Sequence, residues 1–87
     1  MNKVRKTITV YIIEDYKPTR IGLKSILSGL KDISCTGDSD NIKRSLQNIS
    51  RLKPDVVLVD IELKNACGFY AIRKIKEICP EIKIIVL

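Results

Sequence analysis

Two kinds of hydrophobic pattern alternate along the chain. In the first, short runs are apolar at nearly every position and rich in β-branched residues, which is typical of strands buried on both faces of a parallel sheet. These runs are 8–13 (ITVYII), 55–60 (DVVLVD) and 82–87 (IKIIVL), with a weaker one at 33–37 (ISCTG). We therefore predict four strands at these positions.

In the second pattern, apolar residues recur every three or four positions, as on one face of a helix. The three sets are Leu23, Ile26, Leu27 and Leu30; Ile42, Leu46, Ile49 and Leu52; and Phe69, Ile72, Ile75 and Ile78. Pro18 suits a first helical turn, and Gly29 marks the end of the first helix. The pairs at 53–54 and 79–80, each ending in proline, end the second and third helices.

The resulting order, β-α-β-α-β-α-β, predicts an α/β fold. Strands that alternate with helices form right-handed crossovers and a parallel sheet with helices on both faces. We predict a flavodoxin-like three-layer sandwich with strand order 2-1-3-4. A chain of 87 residues is expected to form a single domain.

Three carboxylates follow the two strongest strands. Glu14 and Asp15 lie just past the first strand, and Asp60 ends the third. In an open parallel sheet, ligands bind beyond the carboxyl ends of the strands, where the strand order reverses. We therefore expect the three side chains in one crevice between strands one and three.

Such a cluster predicts a hard cation. Neighbouring like charges raise each other's pKa or require a counter-ion. Donor sets made only of oxygen suit Mg²⁺, which also accepts a phosphoryl oxygen. A carboxylate beside such a metal can act as a nucleophile toward phosphorus. The alternative is that Asp15 and Asp60 cap helices or stabilise turns, which each residue taken alone would favour.

Composition excludes several classes of protein. Hydrophobic residues make up 45% of the chain and charged residues 30%, which argues against disorder. No apolar run has the length of a membrane helix. The basic start of the chain is followed by a short apolar run ending in Glu14-Asp15, so we exclude a signal peptide.

The cysteine and histidine content excludes several kinds of metal site and catalytic site. The three cysteines have no CxxC spacing and there is no histidine, so a disulfide framework, a zinc site and Ser-His or Cys-His catalysis are not expected. Free thiols indicate a reducing compartment, and we predict a cytoplasmic protein.

The net charge of +6 admits nucleic acid as a partner. The basic residues are spread along the predicted helices, however, and the pattern favours solvated helix faces. The aromatic residues are also scattered, and most are predicted to pack in the core. They are Tyr11, Tyr16, Phe69 and Tyr70.

The chain resembles receiver domains of response regulators (CheY-like), most of all the NarL/FixJ subfamily with a LuxR-type output. The resemblance covers residues 8–87 and is carried by YIIEDYKPTRIGLKSIL, DISCTGDSDN and KPDVVLVDIELKNACGFYAIRKIKEICPEIKIIVL. Within the first segment, residues 20–23 match the R-x-G-[LV] motif of that subfamily.

The resemblance implies a role for each matching residue. Glu14 and Asp15 correspond to the metal-binding acidic pair, and Asp60 to the phosphoacceptor. The backbone carbonyl of Glu62 would be a further Mg²⁺ ligand. Gly68 matches the glycine that opens the third helix, where we expect a backbone conformation closed to other residues.

Two departures from the family pattern stand out. Lys64 occupies the position of a usual proline, and its side chain either attracts phosphate or, as we favour, points to solvent. The family also continues past the fourth strand with a Ser or Thr, a lysine, a last strand, two helices and an output domain. We therefore expect 1–87 to be a C-terminally incomplete receiver domain, with residues 1–6 as a basic extension.

The resemblance implies a switch rather than a conventional enzyme. A sensor histidine kinase would phosphorylate Asp60 with Mg²⁺, and DNA would be bound only through an absent output domain that regulates transcription. The alternative is a degenerate receiver that acts as a phosphorylation-independent interaction module. A nucleic-acid binder ranks last. An uncovered fourth strand would favour a homodimer or a strand-exchanged oligomer.

Overall fold

A computed structural model describes residues 7–64 and 66–87 of the chain. The elements in chain order are β1 (Ile8–Ile13), α1 (Lys17–Ser28), β2 (Ile33–Ser39), α2 (Ile42–Leu52), β3 (Val56–Val59), β4 (Glu62–Leu63), β5 (Ala66–Cys67), α3 (Gly68–Ile78) and β6 (Lys83–Val86). The predicted alternation of strands and helices is confirmed. The predicted extension, residues 1–6, lies outside the described residues.

Four strands form a parallel sheet in the order β2-β1-β3-β6. This confirms the predicted order 2-1-3-4, with β6 as the fourth strand of the prediction. The short strands β4 and β5 pair antiparallel in the segment that the sequence indicated only as a polar connection. Strands of two residues are too short for a hydrophobic period, so the sequence pattern did not reveal them.

Helices cover both faces of the sheet, because successive strand residues point to opposite sides. On one face, β1 and β3 side chains pack with α2 and α3; this cluster includes Tyr11, Ile13, Ile49, Val57, Val59 and Ile75. On the other face, Val10, Ile12 and Leu58 pack with Leu27 of α1. The chain is thus an α/β three-layer fold, as predicted.

Several residues predicted to pack are instead exposed. Ile26 of α1 is 65% exposed and Phe69 of α3 is 60% exposed. The buried stripe of α3 contains Ala71 and Ile75, because the sheet contacts a face rotated from the one that the large apolar residues marked. Tyr16 and Tyr70 are also exposed, which leaves Tyr11 as the buried member of the predicted aromatic set.

Lys53 ends α2 in the left-handed region, with φ of 48° and ψ of 60°. A side chain with a Cβ is strained there by about 1–2 kcal/mol, and glycine is not. We expect Lys53→Gly to raise the free energy of unfolding by about 0.5–1 kcal/mol in urea titrations. Lys53→Ala, which keeps the Cβ and removes the rest of the side chain with its charge, should give no such gain. An equal gain in both variants would show that the effect comes from the lysine side chain and not from the strained Cβ.

Candidate functional site

The three predicted carboxylates lie at the carboxyl ends of two neighbouring strands. Ile13 of β1 pairs with Val59 of β3, and the backbone N–H of Asp60 donates to the carbonyl of Ile13 at 3.1 Å. This register places Asp60 beside the residues that follow β1. One carboxylate oxygen from each of Glu14, Asp15 and Asp60 lies within 4.8 Å of the others.

Glu14 is the buried member of the cluster, with 3% of its surface exposed, while Asp15 and Asp60 are half-buried. Burial raises the pKa of the Glu14 carboxyl, and a side-chain hydrogen bond with Asp60 raises it further. The charges on Asp60 and Asp15 act in the same direction, and the N–H of Tyr16 opposes them. Burial and the neighbouring carboxylates therefore both disfavour the charged form of Glu14.

A backbone amide orients each of the three carboxylates. The N–H of Tyr16 donates to Glu14 Oε2 at 3.3 Å, and the N–H of Glu62 donates to Asp60 Oδ1 at 2.9 Å. Asp15 Oδ2 accepts from the N–H of Lys64. Main-chain donors are fixed by the fold, so the carboxylates are oriented without a mobile side chain.

The cluster has the donor chemistry of a hard-cation site. Within residues 7–64 and 66–87, no lysine or arginine forms an ion pair with these three carboxylates. Three oxygen donors without a compensating cation fit Mg²⁺, which binds to carboxylates and retains several waters. The side chain of Glu62 is exposed, and its predicted role as a carbonyl ligand stays a prediction.

Gly68 is required for a reason other than the one expected from the sequence. None of the described glycines has a positive φ, so the expected special conformation at Gly68 is wrong. A Cβ at this position would lie 2.6 Å from the Cα of Ile61 and 2.7 Å from the carbonyl oxygen of Asp60. The start of α3 thus packs directly on the backbone of the segment that carries Asp60.

Lys64 contributes its backbone rather than its side chain. The side chain is exposed, in line with the favoured expectation that it points to solvent, and the N–H donates to Asp15. Proline, usual at this position in the family that the chain resembles, has no N–H to donate. This contact therefore depends on a non-proline residue here.

We expect Lys64→Pro to weaken Mg²⁺ binding about 10-fold, since it removes the donor that orients Asp15. Lys64→Ala keeps the N–H and removes only the charged side chain, so it should stay close to wild type. Calorimetric titration of Mg²⁺ into each metal-free variant measures the difference. A loss in Lys64→Ala as large as in Lys64→Pro would place the effect in the ammonium group instead.

A solvent-accessible cavity of about 380 Å³ lies beside Asp15. Asp15 lines it, together with Ile42 and Lys43 at the start of α2 and with Leu63 and Lys64 from the β4 segment. A small molecule or a partner side chain can therefore reach Asp15.

Of the helices in the described parts of the chain, none is both long and apolar enough for a membrane crossing.

Neither Arg20 nor Asp38 was assigned a role from the sequence, yet Arg20 contacts the segment that carries the acidic pair and Asp38 binds to Arg20. The guanidinium of Arg20 donates to the carbonyl oxygen of Glu14 and pairs with Asp38. The only sequence signal was the R-x-G-[LV] match at residues 20–23, which does not reveal the partners of the arginine.

Comparison with known proteins gives a consistent result. The family model described as response regulator receiver domain matches residues 10–87. Among curated proteins, response regulator protein VraR of Staphylococcus aureus (strain Mu3) is 35% identical over 81 residues. That match covers 93% of this chain and 39% of the relative, so the chain spans about two fifths of the length of the relative.

Solved structures share the fold. The response regulator domain of Thermotoga maritima CheB superposes with a TM-score of 0.86 at 28% identity, over 93% of this chain and 60% of that one. A LuxR-family two-component response regulator from Aurantimonas sp. SI85-9A1 also superposes with a TM-score of 0.86, at 17% identity. That match covers 93% of this chain and 58% of the other. The second likeness is one of fold alone.

Proposed function

The chain belongs to the response regulator receiver domains of two-component systems, and on that premise we propose that Asp60 accepts a phosphoryl group from a sensor histidine kinase. The observation that carries the proposal is the convergence of Glu14, Asp15 and Asp60 at one end of the sheet. Glu14 is the most buried of the three, whereas Asp60 retains access to solvent.

The reaction at Asp60 is a phosphoryl transfer. A carboxylate oxygen of Asp60 attacks phosphorus, the bond from phosphorus to the donor nitrogen breaks, and the donor imidazole keeps the electron pair. Oδ1 accepts the Glu62 N–H, so we assign the nucleophile to the other oxygen, Oδ2. The product is an aspartyl phosphate on the protein.

Mg²⁺ is the implied cofactor. Its ligands would be Glu14, Asp15, Asp60 and the backbone carbonyl of Glu62. When bound, the cation supplies neutralisation of the charge on the transferring phosphoryl group. The protein contributes the amides of Tyr16, Glu62 and Lys64, which keep the three carboxylates oriented.

The proposal for the whole protein is a transcription regulator. A DNA-binding output domain would respond to the phosphorylation state of Asp60, and the receiver would assist only its own phosphorylation and dephosphorylation. We place the protein in the cytoplasm, where the kinase domain of a sensor acts. The extent of the domain, residues 1–87 with a basic extension at 1–6, stays a prediction.

Intact-protein mass spectrometry with acetyl phosphate and Mg²⁺ tests the function. We expect a gain of one phosphoryl group that is stable to acid, labile to base and absent when EDTA replaces Mg²⁺. A folded sample that gains no mass would contradict phosphoacceptance.

A second candidate is a degenerate receiver that associates without phosphorylation. The observation that favours it is the exposure of Ile85 and Val86 in β6, and of Leu87 directly after it, at one edge of the described sheet. Exposed apolar edges favour pairing with another chain, as a homodimer or by strand exchange. Light scattering of the unphosphorylated chain at high concentration separates the candidates. The degenerate receiver should be an oligomer even when no phosphoryl donor is present.

A further inference from the structure

Arg20 connects three separate elements near the acidic site. The residue lies on the first turns of α1, and its Nη1 donates to the carbonyl oxygen of Glu14 at 2.8 Å. Its Nε lies 3.0 Å from Asp38 Oδ2 in β2. The Arg20 side chain is 16% exposed, so the guanidinium is largely shielded from solvent.

Both contacts depend on the shape of the guanidinium. Its donors are planar and fixed relative to each other, so one group can bind to a carboxylate and a carbonyl at the same time. A lysine ammonium is a single point charge on a flexible stem. Charge-assisted bonds to the Glu14 carbonyl and Asp38 therefore fix the main chain where β1 ends.

We propose that Arg20 is a positioning residue for the metal-binding acidic pair, acting through the main chain of Glu14. The proposal rests on the function given above, since it assumes that Glu14 and Asp15 bind to Mg²⁺. Like charges on neighbouring carboxylates repel one another, which opposes their convergence on one cation. The Arg20 guanidinium offsets this repulsion by connecting the Glu14 carbonyl to Asp38 of β2.

Lys24 provides the matched control. Its Nζ lies 3.0 Å from Asp38 Oδ1, so it shares the same acidic partner and carries the same charge. Among the described contacts it makes none with Glu14, and its side chain is 48% exposed. A comparison of the two residues separates the bond to the Glu14 carbonyl from the general effect of a nearby positive charge.

The test titrates Mg²⁺ into metal-free wild type, Arg20→Met, Arg20→Lys and Lys24→Met, following the backbone amides of Glu62 and Lys64 by NMR. We expect the dissociation constant to rise about 10-fold in both Arg20 variants, as for loss of other groups that orient metal ligands. Lys24→Met should remain close to wild type. Equal shifts in Arg20→Met and Lys24→Met, or a wild-type value in Arg20→Lys, would overturn the proposal.

Phosphorylation kinetics provide a measurement that a merely structural role of Arg20 would not change. With acetyl phosphate, the Mg²⁺ concentration for half-maximal phosphorylation should rise in the Arg20 variants, while the rate at saturating Mg²⁺ stays at the wild-type value. A lower saturating rate with unchanged Mg²⁺ dependence would contradict positioning. If wild type itself gains no phosphoryl group, the proposed function fails, and the order of Mg²⁺ affinities still tests Arg20.

Wild-type protein provides a check that does not depend on the variants folding. The guanidinium protons of Arg20 should exchange slowly with water in the metal-free chain, because both contacts form before the cation binds. The ammonium protons of Lys24 should exchange fast, since that group is half exposed. Equally fast exchange at both groups would contradict a fixed guanidinium.

Discussion

Asp60→Asn is expected to abolish phosphoryl acceptance completely while the chain stays folded. An amide is not a nucleophile toward phosphorus, but its oxygen still accepts the Glu62 N–H that binds to Asp60 Oδ1 at 2.9 Å. The same change removes one of three like charges within 4.8 Å, so the metal-free variant should be more stable by about 1 kcal/mol. Intact mass and urea unfolding measure the two effects.

Glu62→Gln is the matched control for Asp60→Asn. It neutralises a carboxylate two residues away, which is exposed and contributes only its backbone to the site. This variant should gain one phosphoryl group as wild type does. Continued phosphorylation of Asp60→Asn, or its loss in Glu62→Gln, would refute the assignment of the phosphoacceptor.

Gly68→Ala is expected to lower the free energy of unfolding by about 2–3 kcal/mol, as overpacking in a rigid environment does. The added Cβ would meet backbone atoms of Asp60 and Ile61 at 2.7 and 2.6 Å, and backbone cannot rotate away as a flexible side chain can. The clash also displaces the carboxylate of Asp60. The phosphorylation rate should therefore fall in the fraction that remains folded.

Gly22→Ala is the control for the same substitution. A Cβ at Gly22, within α1, would meet nothing within 4 Å. Alanine in a helix interior is favoured over glycine by about 0.5–1 kcal/mol, so this variant should be more stable than wild type. If Gly68→Ala and wild type unfold at the same urea concentration, the inferred steric contact between the start of α3 and the Asp60 segment is wrong.

The positions of the main elements followed from local patterns. Apolar runs such as 8–13 and helical spacing such as Ile42, Leu46 and Ile49 predicted the alternation of strands and helices. Their bounds shifted by up to two residues, as for β2, which extends to Ser39. The convergence of the acidic residues also followed from sequence, because parallel strands present their carboxyl ends on the same edge of a sheet.

Contacts between distant residues did not follow from local patterns. We expected a special backbone conformation to require glycine at position 68. The structure shows instead that a Cβ at Gly68 would lie too close to backbone atoms of Asp60 and Ile61. Likewise, the exposure of Phe69 depends on how α3 is rotated against the sheet. A periodicity reports which residues share a helix face, and not which part of that face the sheet covers.

By itself, the sequence determined the order of strands and helices and the placement of three carboxylates at one end of the sheet. These depend on side-chain type and spacing, which are local properties. Only the tertiary structure decided that Arg20 reaches the carbonyl of Glu14 and that the amide of Lys64 reaches Asp15. One partner in each contact is a backbone group, the carbonyl of Glu14 or the N–H of Lys64. Every residue carries a carbonyl and every residue except proline an N–H, so residue type does not reveal which of them is contacted, and the packing of the elements does.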